Sequence, residues 1–212
     1  MKLKLYRQAP MATALLLALL TLMAAPAHAM KLKSQNLTQL IADSTSIVFG
    51  TVSQVTDGID AAGVPYTEVT IQVGSDAKGR IADGDAYSFR QFGLLKPRKM
   101  PNGLTYMAVR PEGFPRWIEG ETIMAFLRAP ASLTGLQTTA GMGQGKLSMV
   151  NGQLINEFKN AGMFDGVTID ASLLSPEQQN MLTNPGAVDA SSFVDLVGRA
   201  VTEQWIEQGV MQ

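Results

Sequence analysis

The chain has 212 residues, of which 46% are hydrophobic and 17% are charged, a composition that argues against disorder. Its 17 basic and 18 acidic residues give a formal net charge of -1. Nucleic-acid-binding proteins usually carry a basic surplus, so we expect no nucleic-acid partner. The absence of cysteine excludes disulfides, thiolate metal sites and cysteine nucleophiles, and the single histidine is His28.

The N terminus has the pattern of a secretory signal peptide. Three basic residues among the first seven precede an apolar run over 12–25, and Ala27-His28-Ala29 supplies a small-x-small cleavage site. The apolar run is shorter than the roughly 20 residues that span a bilayer. We therefore predict a signal peptide over 1–29, export by the general secretory route, and a periplasmic or extracellular product without a stable membrane anchor.

The region after the predicted cleavage site begins with one helix and three strands. Apolar residues at helical spacing predict a short helix over 34–43, with Ser34 as its N-cap. β-Branched residues and the alternation of apolar with polar side chains predict strands over 47–55, 66–73 and 86–92.

Shorter apolar stretches separated by turn residues follow. They predict strands over 104–109, 122–127, 133–139, 146–150 and 153–158. Asn151-Gly152, between the last two, is the residue pair favoured by a type I′ hairpin turn. Short strands at this spacing predict a mainly β fold, a small antiparallel β-barrel or sandwich.

The C-terminal region has a helical pattern. A helix start is placed at Ser175, and Asp189 can cap a second helix that runs to about Glu207 with one apolar stripe. The stripe either packs on the barrel and closes one end of it, or binds a partner. We predict a β-barrel domain over 30–165 and a C-terminal helical extension over 166–212 that packs on the barrel.

Three short motifs together resemble a group of exported bacterial β-proteins. They are ADSTSIVFGTV over 42–52, EGETIMAFL over 119–127 and GQGK over 143–146. The fold that this resemblance implies is the five-stranded, OB-type barrel of netrin-like, metalloproteinase-inhibitor-like modules. The group carries no agreed activity, so the resemblance implies no catalytic residue.

The glycine-rich stretch that ends in Gly145-Lys146 lacks the spacing of a phosphate-binding P-loop. Ala140 stands where the first P-loop glycine belongs, and Leu147 stands where a hydroxyl residue would hold magnesium. We interpret the stretch as a flexible turn between two strands.

Candidate catalytic residues are few, because the usual triads need histidine or cysteine. Ser148 with Lys146 could form a Ser-Lys pair, although strand alternation alone would place both on one face. Asp83-Gly84-Asp85 fits a turn and lacks the ligand spacing of a calcium loop. We expect no cofactor and no metal. Carboxylates that could pair for glycoside hydrolysis are Asp85, Glu112, Glu119 and Glu121.

A proline-punctuated segment over 96–117 combines basic and aromatic side chains. Such residues suit anionic or sugar-like ligands through charge pairing and stacking. The alternative is a solvated loop whose aromatic residues cover the barrel. The candidate binding residues are Lys96, Arg98, Lys99, Tyr106, Arg110, Phe114, Arg116 and Trp117.

Two functions fit these patterns. The first is an exported, non-enzymatic binding or interaction module whose partner is an envelope or extracellular protein or an anionic glycan. The second is a carboxylate-based hydrolase acting on envelope polysaccharide. Two facing carboxylates in a cleft would favour the hydrolase.

Overall fold

The computed structural model describes residues 34–100, 102–184 and 186–212. The predicted signal peptide lies outside the described residues. The helices are α1 (Leu37–Ala42), α2 (Pro176–Thr183) and α3 (Ala190–Thr202). The strands are β1 (Ser46–Ile59), β2 (Pro65–Asp76), β3 (Ala86–Phe92), β4 (Arg98–Lys99), β5 (Thr105–Tyr106), β6 (Thr122–Leu127), β7 (Lys146–Val150), β8 (Gln153–Ile155) and β9 (Val188–Asp189). Two short 3-10 turns are Met142–Gly145 and Ala171–Leu173.

Seven strands form one antiparallel sheet in the order β3-β2-β1-β6-β7-β8-β9, and β4 pairs with β5 separately. This confirms the mainly β fold with a short N-terminal helix and a C-terminal helix. β3 and β9 are the edges of the sheet, and no pairing between them is found among the described strands. No closed barrel is therefore detected, and the OB-type barrel is not confirmed. The alternation of apolar and polar side chains along a strand predicts the strand, but it does not specify whether the two edge strands pair and close the sheet into a barrel.

The central strands are buried on both faces. On one face, Ile47 and Phe126 pack with residues of α1 and α3. On the other face, Val48, Ile71 and Trp117 belong to a second apolar cluster. β6 is buried at five of its six positions, as expected for a strand covered on both sides.

The first of these cores includes residues from both sides of the predicted boundary between 165 and 166. Phe193 and Leu196 of α3 share it with Phe126 of β6 and Leu154 of β8. β9, which comes late in the chain, also adds to the sheet beside β8. Residues 34–212 thus lie in one compact unit.

The predicted N-cap of α1 is wrong. Asn36 caps the helix: its Oδ1 accepts a hydrogen bond from Gln39 N at 3.0 Å, and Gln39 Oε1 accepts one from Asn36 N at 3.2 Å. This reciprocal capping box satisfies two backbone donors at once. Ser34 lies outside the helix, and its hydroxyl accepts a hydrogen bond from Gln144 Nε2.

The predicted cap of α3 is confirmed, whereas its predicted end is wrong. Asp189 Oδ1 accepts a hydrogen bond from Ser192 N at 2.8 Å. The helix ends at Thr202 instead of continuing to about Glu207. Gln204 has a φ of +53°, in the left-handed region, which a right-handed helix cannot accommodate.

The predicted hairpin between β7 and β8 is confirmed. Asn151 and Gly152 have φ values of +51° and +77°, as a type I′ turn requires. β8 ends at Ile155, three residues earlier than predicted. Asn156 Oδ1 accepts a hydrogen bond from Asn160 N at 2.8 Å, which turns the chain away from the sheet.

Two predicted strands are mostly absent from the described residues. In 133–139 only Thr139 bridges to β6, because the chain turns at Gly135, which has a φ of +67°. In 104–109 only Thr105–Tyr106 pairs as a strand, with β4. The apolar composition of both segments favoured strands. A strand also needs a neighbouring backbone to pair with, and the sequence did not show where one would lie.

Candidate functional site

A cavity of about 380 Å³ lies between the proline-punctuated segment and the β6-β7-β8 part of the sheet. Ligand sites in proteins are typically about 300–1,000 Å³, so this volume suits a small ligand. We call it the cationic cavity because two arginines and a lysine line it. Its lining residues are Arg110, Pro115, Arg116, Ile118, Glu121, Gly143, Lys146, Ser148, Ile155, Asn156 and Glu157.

Lys146 is the buried cation of this cavity, with 8% of its side chain exposed. Its Nζ donates hydrogen bonds to Glu121 Oε2 at 2.5 Å and to Ser148 Oγ at 2.7 Å. It also lies 5.9 Å from the ring centroid of Trp117, within the range of a cation–π contact. An ammonium has three donors, and the third has no hydrogen-bond partner among the described residues.

Strand alternation and register bring these groups together. Lys146 and Ser148 are two residues apart on β7 and therefore share one face. On the neighbouring strand β6, Ala125 pairs with Lys146 and Ile123 pairs with Ser148. Glu121 is two residues before Ile123, so it lies on the same face just before β6 begins. The sequence contained the alternation, but the β6–β7 register was needed to place Glu121 beside Lys146.

Burial lowers the pKa of Lys146, because removal from water disfavours the charged amine. The hydrogen bond and opposite charge of Glu121 raise the pKa in part, and the result stays below the ordinary value. The ion pair favours the ammonium form, in which Lys146 donates to Ser148 and cannot take its proton. This arrangement favours ion binding over use of Ser148 as a nucleophile.

The glycine-rich turn before β7 serves close packing. A Cβ on Gly145 would lie 2.0 Å from the carbonyl oxygen of Ala140, and one on Gly143 would lie 1.9 Å from Glu157 Oε1. Gly143 N donates to Gly113 O at 2.7 Å, which ties the turn to the proline-punctuated segment. This N–H is therefore already occupied, unlike the free backbone donors of a phosphate-binding loop.

Arg110 and Arg116 bring two further cations to the cavity from the proline-punctuated segment. Both are exposed, and neither forms an ion pair with a residue in the described part of the chain. Trp117, between the same segment and the sheet, is buried and donates through Nε1 to Gln91. Two of the predicted binding residues thus line the cavity, and a third lies beneath its lysine.

The remaining predicted binding residues lie away from the cationic cavity. Phe114 is half-buried and lines a different cavity of about 330 Å³ with Phe92 and Leu136. The rest are exposed at or next to the β4–β5 hairpin: Lys96, Arg98, Lys99 and Tyr106. The structure therefore divides the predicted binding residues among three places: the cationic cavity, the cavity at Phe114 and the β4–β5 hairpin.

Asp57 holds the base of this hairpin. Its Oδ2 accepts hydrogen bonds from Leu95 N at 2.8 Å and Lys96 N at 3.0 Å, and its Oδ1 pairs with Arg98. Burial by itself would raise the pKa of Asp57, but these hydrogen bonds and the Arg98 charge outweigh it, and the pKa is lowered. Arg98 thus has a partner within the chain.

The four predicted carboxylates do not converge on one site. Glu121 alone lines the cationic cavity. Glu119 Oε1 accepts a hydrogen bond from Val55 N at 2.8 Å, beyond the last β1–β6 pair at Thr51. Glu112 and Asp85 are exposed and lie outside the cavity.

Sequence reasoning missed the residues that follow β8. Asn156 and Glu157 both line the cavity, so two carboxylates, Glu121 and Glu157, lie in its walls. The predicted β7–β8 hairpin could have indicated their position. It pairs Ser148, which lines the cavity, with Ile155, so the residues that follow Ile155 lie near the cavity as well.

Among the residues that the structure describes, no three His, Cys, Asp or Glu side chains form a metal-binding group. No helix in the described ranges has the length and apolarity needed to cross a membrane. Comparison with protein-family models, with curated proteins and with solved structures found no match to this chain.

Proposed function

We propose that this protein is an exported, non-enzymatic binding module that holds an anionic ligand in the cationic cavity. One observation carries the proposal: Arg110, Arg116 and Lys146 line the same cavity, and neither arginine has an anionic partner among the described residues. Free guanidinium groups offer paired donors to carboxylates, sulfates and phosphates.

The walls of the cavity favour a ligand that combines a negative charge with apolar surface. Pro115, Ile118 and Ile155 contribute apolar surface, whereas Ser148 contributes a hydroxyl group. An anionic glycan presents charge, hydroxyls and apolar ring faces together. An acidic group on an envelope or extracellular protein would satisfy the two arginines in the same way.

The OB-type, netrin-like architecture belongs to the same proposal. It is supported by the segment after β6, where Thr139 bridges Leu127 and Gln137 N donates to Arg90 O of β3 at 2.7 Å. With this segment included, five pieces of chain would enclose the second core in the order β1, β2, β3, 137–139 and β6. Five-stranded, partly open barrels of this kind commonly bind oligosaccharides and oligonucleotides.

The carboxylate-based hydrolase is the alternative, favoured by the presence of Glu121 and Glu157 in one cavity. Glycoside hydrolysis requires one carboxyl group to donate a proton and the other to act as base or nucleophile. Glu121 is engaged by Lys146 at 2.5 Å, so its carboxylate already has a cationic partner. Binding without turnover therefore fits this arrangement better.

Titration calorimetry with uronate-bearing and sulfated oligosaccharides tests the proposal, with neutral oligosaccharides as the comparison. The Arg110→Gln/Arg116→Gln variant should lose at least about tenfold in affinity, because each charge-assisted hydrogen bond contributes about 1.5–3 kcal/mol. The matched control is Arg80→Gln/Arg128→Gln, two exposed arginines outside the cavity, which should bind as the parent does.

Two outcomes would contradict this function. Release of reducing ends by the parent, lost in Glu157→Gln, would establish the hydrolase instead. Equal affinity of the parent and the Arg110→Gln/Arg116→Gln variant would remove the cavity as the binding site.

A further inference from the structure

The β4–β5 hairpin presents a second surface that the cationic cavity does not use. All eight residues over 102–109 are exposed, and Tyr106, Met107 and Val109 also line a shallow cavity of about 260 Å³ at the base of the hairpin. Leu104 and Met107 are 62% and 68% exposed. Large apolar side chains exposed together usually mark an interaction surface. We call this set the hairpin patch: Leu95, Leu104, Tyr106, Met107 and Val109.

The charge around the hairpin patch is opposite to that of the rest of the molecule. Residues 34–212 contain 12 basic and 18 acidic side chains, a formal charge of -6. The stretch over 94–109 contains three basic residues and no acidic residue. Lys96 and Lys99 form no ion pair with a described residue, and Arg98 pairs with Asp57.

The base of the hairpin is joined to neighbouring parts of the chain by backbone and side-chain hydrogen bonds. Leu94 and Val109 exchange two backbone hydrogen bonds of 2.8 and 3.0 Å. Gly93 permits this close approach, because a Cβ there would lie 2.8 Å from the Val109 carbonyl oxygen. The Asp57 carboxylate fixes the other side of the base through Leu95 N and Lys96 N.

We propose that the hairpin patch docks on the surface of a bilayer that contains anionic phospholipids. Such a surface offers negative charge in the headgroups and apolar acyl chains directly beneath them. The exposed Leu104 and Met107, on the same hairpin as Lys96 and Lys99, match both layers. A protein partner would need a surface of matching shape and acidic charge, whereas an anionic bilayer accepts any exposed apolar side chains that basic residues flank. This inference is independent of the ligand proposed for the cationic cavity.

Vesicle co-sedimentation tests this docking with purified residues 30–212, which contain the whole described unit and lack the apolar run over 12–25. The vesicles are phosphatidylglycerol with phosphatidylcholine in equal amounts, and phosphatidylcholine alone. The parent should partition onto the anionic vesicles and not onto the neutral ones, with binding that weakens as salt rises. Leu104→Ser/Met107→Ser and Lys96→Glu/Lys99→Glu should each reduce partitioning by about tenfold or more.

Two matched controls separate this site from general surface effects. Leu133→Ser removes a leucine that is 96% exposed elsewhere, and Arg80→Glu/Lys159→Glu reverses two exposed cations outside the hairpin. Both should bind vesicles as the parent does. Circular dichroism should show all four variants folded, because every substituted side chain is exposed.

A new tryptophan reports whether the tip enters the lipid. In Leu104→Trp the added indole should shift to shorter emission wavelength and be quenched by brominated lipid, while Leu133→Trp should show neither change. The native Trp117 and Trp205 are buried and provide a constant background.

Three results would overturn the proposal. The parent could fail to bind anionic vesicles, or the hairpin variants could bind as tightly as the parent. Sedimentation could instead show a parent dimer that Leu104→Ser/Met107→Ser converts to monomer, which would make the patch an interface between two copies of this chain.

Discussion

Lys146 shows how one residue sets the chemistry of the cationic cavity. Its ammonium is buried, lies near the Trp117 ring, and donates to Glu121 and Ser148. A buried charge is tolerated only when its partners replace the water that it has lost. The hydrogen bond from Lys146 Nζ to Ser148 Oγ makes the serine hydroxyl an acceptor. Ser148 is therefore a polar residue in the wall of the cavity.

Removing the partner of Lys146 should therefore be costly. Glu121→Gln should lower the free energy of unfolding by about 3 kcal/mol, since a buried charge then lacks its counterion. Glu121 raises the pKa of Lys146, so in the variant the buried amine loses its proton at a lower pH than in the parent. The deficit should therefore shrink as pH rises toward the ordinary lysine pKa of 10.5. Urea denaturation at several pH values measures both effects.

Two comparisons isolate the ion pair. Glu68→Gln breaks the exposed pair with Arg90 and should change stability by no more than about 1 kcal/mol. Glu121→Gln/Lys146→Met removes both buried charges and should recover most of the loss. A deficit for Glu121→Gln as small as that for Glu68→Gln would contradict the buried pair.

At the scale of elements, the glycine-rich turn and α3 use glycine in opposite ways. Gly145 lies where a Cβ would be 2.0 Å from a backbone oxygen of Ala140, so the turn needs glycine there. Gly198 lies inside α3, and no atom lies within 4 Å of the position that its Cβ would occupy. Only the first glycine is required by the packing of its element.

Alanine substitutions should therefore have opposite signs at the two positions. Gly145→Ala should destabilise the protein by about 1–3 kcal/mol, because the backbone must shift. Gly198→Ala should stabilise it by about 0.5–1 kcal/mol, because alanine restricts the unfolded chain and favours helix. Thermal unfolding of both variants measures this, and a stable Gly145→Ala protein would show that the turn can open without cost.

At the scale of the whole molecule, the sheet is stabilised by different cores on its two faces. The core shared with α1 and α3 joins the early strands to the C-terminal helix, and β9 extends the sheet on its far side. The other core lies under Trp117 and the proline-punctuated segment. Parts of the chain distant in sequence thus depend on each other for burial.

Truncation after residue 165 should prevent folding. Loss of Phe193 and Leu196 would expose Phe126 and Leu154, which now share their core. Each large apolar side chain contributes about 1.5–3 kcal/mol when fully buried, and domains are only marginally stable. Residues 30–212 should unfold in one cooperative transition by circular dichroism, and 30–165 should show none. A folded 30–165 fragment would support an independent β domain.

The sequence by itself determined the local elements of this protein. Alternating and β-branched residues predicted β3, β6 and β7 with the bounds observed, Asn151-Gly152 predicted its hairpin, and Asp189 predicted a helix cap. Each of these features depends on neighbours within a few residues, so local preference is enough to specify it.

Only the tertiary structure decided which elements meet. Strand register placed Glu121 beside Lys146, packing carried Glu157 into the cavity wall, and the Asp57 carboxylate engaged Arg98 at the base of the hairpin. The candidate binding surface was therefore predicted as one segment, but its residues lie in three places. Composition and spacing report which side chains are available. Contacts between residues far apart in sequence arise from the global balance of burial and pairing, which no local pattern encodes.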